Sequence, residues 1–350
     1  MGEIQARSIR MAKVFVAGTL ALPGIASAQD PGQATDYRPG LGWQVPDTHL
    51  TVGGYFNAAL ERATGSGTEL ALDDLSLFLR WEGEGKFRMF SEISLENPLA
   101  FRPGDGLTSR HTYVALERLY FDYLYSDQIN LRAGKFLTPI GRWNSVHAGP
   151  LVWTTSRPLI TEQSFPTNVT GVMVFGSWPI LGKSVDYSVY GTVGEEWRPD
   201  PKLDPFERAY GLHVNVPVWA RADIGLSYAS FEQRSSSSEA RHLLGVDYLW
   251  SRNRYEFGAE AVYRFSEDGS DFDEKGLSLQ GVAPLSDRLY GVVRYEFYDQ
   301  AGPAPALNLG LLGLTFKATP ALVFKVEWRQ ASHSQELVAS GLMASISALF

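Results

Sequence analysis

Hydrophobic and polar residues alternate with a period of two along most of the chain. Successive side chains of a β-strand point to opposite faces, whereas a helix would repeat its apolar positions every three or four residues, so this pattern predicts strands. Segment 254–266 is the clearest example. Its apolar face consists of Tyr255, Phe257, Ala259, Ala261, Tyr263 and Phe265. Its other face consists of Glu256, Gly258, Glu260 and Arg264.

The same alternation predicts about sixteen strands, with fourteen or eighteen as alternatives. The predicted strands are 49–62, 70–82, 86–96, 110–125, 129–136, 169–178, 184–194, 207–217, 222–233, 240–250, 254–266, 276–284, 288–298, 306–317, 321–332 and 337–350. Strands that are apolar on one face and polar on the other, in an even number, are typical of a barrel in lipid. We therefore predict an all-β fold, a transmembrane antiparallel β-barrel formed by residues 49–350.

The connections between the predicted strands alternate in length, which gives the barrel an orientation. Tight links at 83–85, 126–128, 251–253, 285–287 and 318–320 are expected to be periplasmic turns, and the longer links to face outward. Four tryptophans fall near the same predicted rim, where aromatic girdles meet the membrane interface. They are Trp81, Trp178, Trp219 and Trp250.

Both ends of the chain carry export features. Arg7, Arg10 and Lys13 precede an apolar run over 14–25, and small residues end at Ala28, so residues 1–28 are predicted to be a signal peptide. Residues 29–48 are then expected to form an N-terminal periplasmic segment. The last predicted strand ends on Phe350, and such a terminal aromatic resembles the recognition signal of the barrel insertion machinery. The predicted location is the outer membrane of a Gram-negative bacterium, in contact with its lipid and lipopolysaccharide.

Composition excludes several other classes. The chain has no cysteine, which rules out disulfides and thiolate metal sites, and we predict neither a metal nor a cofactor. The net charge is −8, and removal of the predicted signal peptide would change it to about −10. Such an acidic chain is not expected to bind nucleic acid.

Residues 113–141 carry a resemblance to a known family. An alternating strand from Tyr113 to Tyr123 is followed by Ser126-Asp127-Gln128 and then by Gly134-Lys135-Phe136, with Pro139 and Gly141 after it. This hairpin resembles the outer-membrane porin superfamily, in particular the phosphate-selective porin O/P type. The resemblance implies a porin channel assembled as a homotrimer.

The longest predicted connection, 137–168, is the third external link and is expected to fold inward as a constriction loop. Its apolar residues would pack against the barrel wall, and its charged or titratable residues would line the constriction. The latter are Arg142, His147, Arg157 and Glu162. The predicted pore wall residues are Arg88, Glu92, Glu96, Arg264, Arg294, Glu296 and Arg329. We expect Arg142 and Arg157 to face wall carboxylates such as Glu92 and Glu96, which would create a transverse field.

These features predict a porin that lets small hydrophilic solutes or ions diffuse across the outer membrane. A structural or partner-binding barrel without an open pore is the first alternative. A third possibility, an outer-membrane hydrolase, is disfavoured because the six histidines lie in no recognisable nucleophile or metal motif. Liposome swelling would separate an open porin from a sealed barrel.

Overall fold

The computed structural model describes residues 37–350 except for 66, 110–111, 147, 200–203, 268–272 and 333–336. Of its nineteen strands, three are short pieces of two or three residues, and the other sixteen form one closed antiparallel barrel. The barrel strands are β1 (Leu50–Ala63), β2 (Gly67–Glu82), β3 (Phe87–Arg102), β4 (Tyr113–Leu124), β5 (Asn130–Leu137), β6 (Asn168–Ile180), β7 (Lys183–Thr192), β8 (Phe206–Trp219), β9 (Ala222–Gln233), β10 (Ser236–Arg252), β11 (Tyr255–Ser266), β12 (Glu274–Pro284), β13 (Leu289–Asp299), β14 (Leu307–Lys317), β15 (Leu322–Ala331) and β16 (Gly341–Leu349). The predicted fold class and strand number are confirmed.

The barrel closes between its first and last strands. Strand β16 pairs with β1, with Ser345 opposite Ala59, and every other strand pairs with its neighbours in the chain. Backbone bonds of 2.9 Å run both ways between Gly54 and Phe350. The Phe350 ring also lies over Gly54, where a Cβ would approach it to 2.7 Å. Closure gives each of the sixteen barrel strands a partner on both sides, so the barrel wall has no open edge, as lipid requires.

The alternation of the sequence separates the two faces of the barrel wall. Large apolar side chains are exposed on the outside, for example Leu312 at 63% and Val293 at 56%. Charged and polar side chains point inward, and several are almost completely covered, such as Arg294 and Glu92. The outer face is thus suited to lipid, and the inner face encloses the polar groups.

The two ends of the barrel differ in their connections. One end, here called the turn end, carries seven links of two to five residues, which include the five predicted tight turns within the expected boundary error. Exposed Trp81, Trp178 and Trp219 lie near this end. The other end, here called the loop end, carries all of the long connections and two short ones, between β1 and β2 and between β9 and β10, and Tyr210 and Trp328 are exposed near it. Aromatic residues therefore mark both rims of the apolar outer face.

A short hairpin precedes the barrel. Tyr37–Arg38 pairs with Gly42–Gln44, which in turn pairs with β1. The predicted signal peptide and residues 29–36 lie outside the described residues. No helix in the described part of the chain is long and apolar enough to cross a membrane.

Some strands extend beyond their predicted ends. Strand β3 continues to Arg102 instead of residue 96 and pairs there with the short strand Gly106–Thr108. Strand β10 begins at Ser236 instead of residue 240. Both extensions lie at the loop end, where water can reach both faces of a strand and no apolar face is required. Alternation therefore could not reveal them.

Candidate pore constriction

The constriction loop, residues 138–167, leaves the wall after β5 and returns at β6. It contains two short 3-10 helices, Trp143–Ser145 and Gly149–Leu151, and one α-helix, α1 (Leu159–Gln163). Its neck is closed by Asn144, whose fully buried side-chain amide donates hydrogen bonds to the carbonyls of Thr138 and Thr167 at 2.8 and 2.9 Å. The loop therefore starts and ends at one fixed point on the wall.

The loop runs inside the barrel, as predicted, and wall glutamates hold its backbone. Glu260 of β11 accepts hydrogen bonds from the amides of Arg142 and Trp143 at 2.7 and 2.6 Å. Glu256, further along the same inner face, accepts one from the Trp153 indole at 2.9 Å. Hydrogen bonds to a carboxylate are stronger than those between neutral groups, so these contacts fix the first half of the loop.

The second half of the loop is held in the same way. Glu327 of β15 accepts hydrogen bonds from the amides of Thr155 and Ser156 at 2.8 and 3.0 Å. Glu296 of β13 accepts one from the Leu159 amide at 2.7 Å, at the start of α1. Three inward-facing glutamates on alternate strands thus hold loop amides that have no partner in regular secondary structure.

Basic side chains of the wall hold the loop carbonyls. Arg294 donates hydrogen bonds to the Thr154 hydroxyl at 2.7 Å and to the Ser156 carbonyl at 2.9 Å, and it pairs with Glu296 at 2.8 Å. Lys325 donates to the carbonyl of Gly149 at 2.5 Å. The loop is therefore bound to the wall by charges of both signs.

Apolar packing completes the attachment. Leu159, Ile160 and Phe165 are buried, and they belong to a cluster that includes Leu307 and Leu309 of β14. These leucines point inward, where water would otherwise reach them, and the loop covers them. The predicted packing of the loop against the wall is confirmed for these side chains.

The space that the loop leaves open is a cavity of about 700 Å³ between loop residues 139–153 and the wall from β4 to β12. Its lining contains charges of both signs. The charged and titratable lining residues are Arg118, Arg132, Arg142, Asp186, His213, Asp223, Asp247, Glu256 and Glu260.

Two of the lining arginines are neutralised by carboxylates behind them. Arg118 pairs with the fully buried Glu92 at 2.5 Å. Arg132 makes two hydrogen bonds to Asp122, at 2.7 and 2.9 Å, and its guanidinium lies 3.7 Å from the centre of the Tyr120 ring. Each of these arginines therefore contributes little net charge to the cavity.

Arg142 meets a polar cluster across the cavity. Its Nε lies 3.8 Å from Oδ1 of Asp247, whose Oδ2 lies 4.0 Å from Nδ1 of His213. The same Nδ1 lies 2.9 Å from the Ser227 hydroxyl. A Ser-His-Asp relay needs the acid on one ring nitrogen and the serine on the other, so this arrangement does not have its geometry.

The predicted constriction residues are placed differently from one another. Arg142 lines the cavity, and its side chain is 34% exposed. Arg157 lies where the loop meets the wall, since its carbonyl accepts a hydrogen bond from Arg294 and its Nε and Nη2 are buried. Glu162 is exposed at the end of α1. His147 lies outside the described residues.

The predicted wall residues all lie outside the cavity lining. Glu92 is bound to Arg118, and Glu96 lies opposite Asp74 and Tyr113 in the sheet. The carboxylate beside Arg142 is Asp247, which differs from the expected pairing with Glu92 and Glu96.

The other predicted wall residues make local contacts. Arg264 pairs with Glu274 at 2.5 Å, and Arg329 pairs with Glu61 at 2.7 Å. Arg88 donates hydrogen bonds to carbonyls of the adjacent tight turn. Arg294 and Glu296 are buried under the loop, as described above.

Of the charged lining residues only Arg142 is among the predicted site residues, and Arg118, Arg132, Asp223 and Asp247 are four that sequence reasoning missed. Alternation places all four on inner faces, so a systematic list of inward charges would have included them. Alternation does not show which part of the inner face the loop covers.

Comparison with known sequences gives only a partial match. No family model matches the chain. A relative, an uncharacterized protein of Aquifex aeolicus (strain VF5), is 29% identical over 127 residues, which are 36% of this chain. The match spans only 28% of that relative.

Solved structures match over most of the chain. The anion-selective porin from Comamonas acidovorans has a TM-score of 0.62 and 12% identity, over 87% of this chain and 100% of that one. Salmonella typhi OmpF in complex with daunomycin has a TM-score of 0.61 and 9% identity, over 87% and 97%. The outer membrane channel DcaP of Acinetobacter baumannii has a TM-score of 0.58 and 10% identity, over 89% and 99%. At this identity the similarity shows the fold, which is that of the outer-membrane porins.

Proposed function

We propose that the chain is an outer-membrane porin through which small hydrophilic solutes and ions diffuse passively. The observation that carries the proposal is the inward constriction loop, which is bound to one part of the wall and leaves a cavity with charged and apolar lining residues along the rest. A barrel that served only as a scaffold would have no need of a loop that divides its interior in this way. In this proposal Arg142, at the edge of that cavity, lines the constriction.

Single-channel recording tests this function. The full chain, expressed in an outer membrane and purified in detergent, should give stepwise ion currents in a planar bilayer, and it should make liposomes swell in small sugars. Heat-denatured protein is the control. A folded barrel that produced neither current nor swelling would favour the structural alternative.

Assembly and export belong to the same proposal. One matching structure is a trimer form of an outer membrane protein of Vibrio cholerae, OmpT, and we propose a homotrimer for this chain as well. Export would use the predicted signal peptide with cleavage near Ala28, and insertion would use Phe350. Crosslinking of the purified protein in detergent, followed by denaturing electrophoresis, would show the trimer as a band of three times the monomer mass.

The phosphate-selective type, to which residues 113–141 are similar, is a more specific proposal. Selection of phosphate requires clustered cations to replace the hydration of the anion. The cavity has two of its three arginines already bound to carboxylates. Phosphate transport is therefore the less favoured specificity, and competition of phosphate with chloride current would test it.

A further inference from the structure

The wall of the cavity carries carboxylates that no neighbouring cation neutralises. Asp186 of β7 and Asp223 of β9 line the cavity, and neither forms an ion pair with any residue that the structure describes. Arg118 and Arg132, the arginines across the cavity, are bound to carboxylates of their own. Among the described residues Arg142 is thus the lining guanidinium with the weakest carboxylate contact, since its Nε lies 3.8 Å from Asp247 Oδ1 without a hydrogen bond.

Asp247 is the third carboxylate of this wall, and it differs from the other two because Arg142 lies 3.8 Å from its Oδ1. Its side chain is 2% exposed and lines the cavity, yet Oδ2 has no hydrogen-bond partner among the described residues. The carboxylate lies over Gly225, where a Cβ would come within 2.0 Å of Oδ2. This oxygen is covered and a solute would not contact it, but its charge, which no hydrogen bond offsets, acts on a cation nearby.

The three aspartates lie on one wall, with Asp223 near Asp247 and Asp186 three strands from Asp247, roughly 14 Å at about 4.8 Å per strand. Asp223 lies opposite Leu249, two residues from Asp247 on the neighbouring strand, and such diagonal neighbours are roughly 7–8 Å apart. Asp186 lies in the same cross-strand row as Asp247, through Asn215 and Gly225. Their fields therefore add along the path of a solute.

The loop side of the cavity is mostly apolar, apart from Arg142 and Ser145. Its apolar lining residues there include Trp143, Val146, Leu151, Val152 and Trp153. Tryptophan attracts a cation within about 6 Å of its ring, and Lys317 already lies 3.7 Å from the centre of the Trp153 ring. The loop therefore offers an apolar surface for the body of a solute. A volume of about 700 Å³ also lies in the range of sites that hold small organic molecules.

We propose that the cavity selects small organic cations, namely an ammonium group that carries an aliphatic or aromatic body. The ammonium group would lie near Asp186 and Asp223, in the field to which Asp247 adds, and the apolar body would lie against the apolar side chains of the loop. This specificity rests on the proposed function, since it requires an open channel.

The first test is the reversal potential in a neutral phosphatidylcholine bilayer under a gradient of KCl near 0.1 M. We expect the channel to prefer potassium over chloride. A unit charge about 7 Å away in water changes the local cation concentration by a factor of about three. In the D186N/D223N variant the preference for potassium over chloride should therefore fall roughly threefold for each carboxylate removed. The preference should also weaken at 1 M salt, where the screening length is about 3 Å.

The matched control is D127N/D287N. It also removes two negative charges, but from exposed positions in turns at the turn end, outside the cavity lining. This control should keep the wild-type reversal potential. If both variants lost the preference equally, net charge and not the cavity would be its cause, and the proposal would be overturned.

The second test uses benzylammonium as the probe, with ammonium and benzoate as comparisons. Benzylammonium should reduce the potassium current at concentrations at which neither comparison does so, and D247N should weaken this block, measured as a fraction of each channel's own unblocked current. Equal effects of benzylammonium and ammonium would overturn the organic part of the proposal. A conducting channel with chloride preference would overturn the cation selectivity alone, whereas a wild-type barrel without any current would overturn the proposed function.

Discussion

At the scale of single residues, the inner face of the barrel contains two chemically similar groups with different roles. Both carboxylate oxygens of Glu327 accept hydrogen bonds from loop amides, whereas Asp247 keeps an oxygen without a hydrogen bond. Glu327 lies under the loop, and Asp247 lines the cavity beside it. Position relative to the loop therefore gives these two wall carboxylates different surroundings.

Arg142 opposes the carboxylates of the cavity, so its removal has a predictable effect. In R142A we expect a larger single-channel conductance and a stronger preference for cations, because a positive charge and its bulk leave the cavity. The change in cation preference should be about threefold, the effect of one charge about 7 Å away in water. Conductance and reversal potential measure both effects. The control is R208A, whose side chain is 75% exposed on β8 and pairs with Glu232. Unchanged values in R142A would show that Arg142 only supports the loop.

Gly225 provides a second test at this scale. A methyl group at this position would meet Asp247 Oδ2, which is the flexible end of a side chain and can move away from it. We therefore expect G225A to fold, to push the carboxylate further into the cavity and to lower the conductance. The control is G310A, where a Cβ meets nothing within 4 Å. A wild-type current in G225A would mean that Asp247 does not border the conducting path.

At the scale of elements, the strands could be predicted from sequence and the contents of the cavity could not. Lipid requires an apolar residue at every second position of a strand, so each of the sixteen strands is visible as a pattern. Arg294 and Asp247 both face inward and look equivalent to that pattern, yet the first is under the loop and the second lines the cavity. The choice of covered wall depends on contacts between distant parts of the chain, such as Thr155 with Glu327, which leave no local signal.

The attachment of the constriction loop can be weakened at one side chain. E327A would leave the amides of Thr155 and Ser156 without their acceptor, at a cost of about 1–3 kcal/mol for each amide that finds no water. We expect noisier open-channel currents and faster cleavage of the loop by added protease. The control is E207A, an exposed glutamate on β8. Quiet currents and wild-type protease resistance in E327A would indicate that the other contacts suffice to hold the loop.

At the scale of the whole molecule, stability depends on closure, because the chain has no disulfide and unpaired strand edges are costly in lipid. The last residue takes part in that closure directly. Phe350 exchanges backbone hydrogen bonds with Gly54 and covers it with its ring. The C-terminal aromatic thus has a structural role in the folded barrel in addition to the insertion role predicted from the sequence.

These two roles of Phe350 can be separated by refolding the protein into detergent or lipid without any insertion machinery. Deletion of Phe350 removes two backbone hydrogen bonds, each contributing about 0.5–1.5 kcal/mol, and the packing of the ring on β1. The truncated barrel should therefore lose its folded, heat-modifiable band on a gel at a lower temperature than the full chain. F350Y keeps the backbone bonds and the ring, so it should behave as the wild type. If the truncated and full chains unfolded together in this assay, Phe350 would not stabilise the closure, and any defect seen in cells would belong to insertion alone.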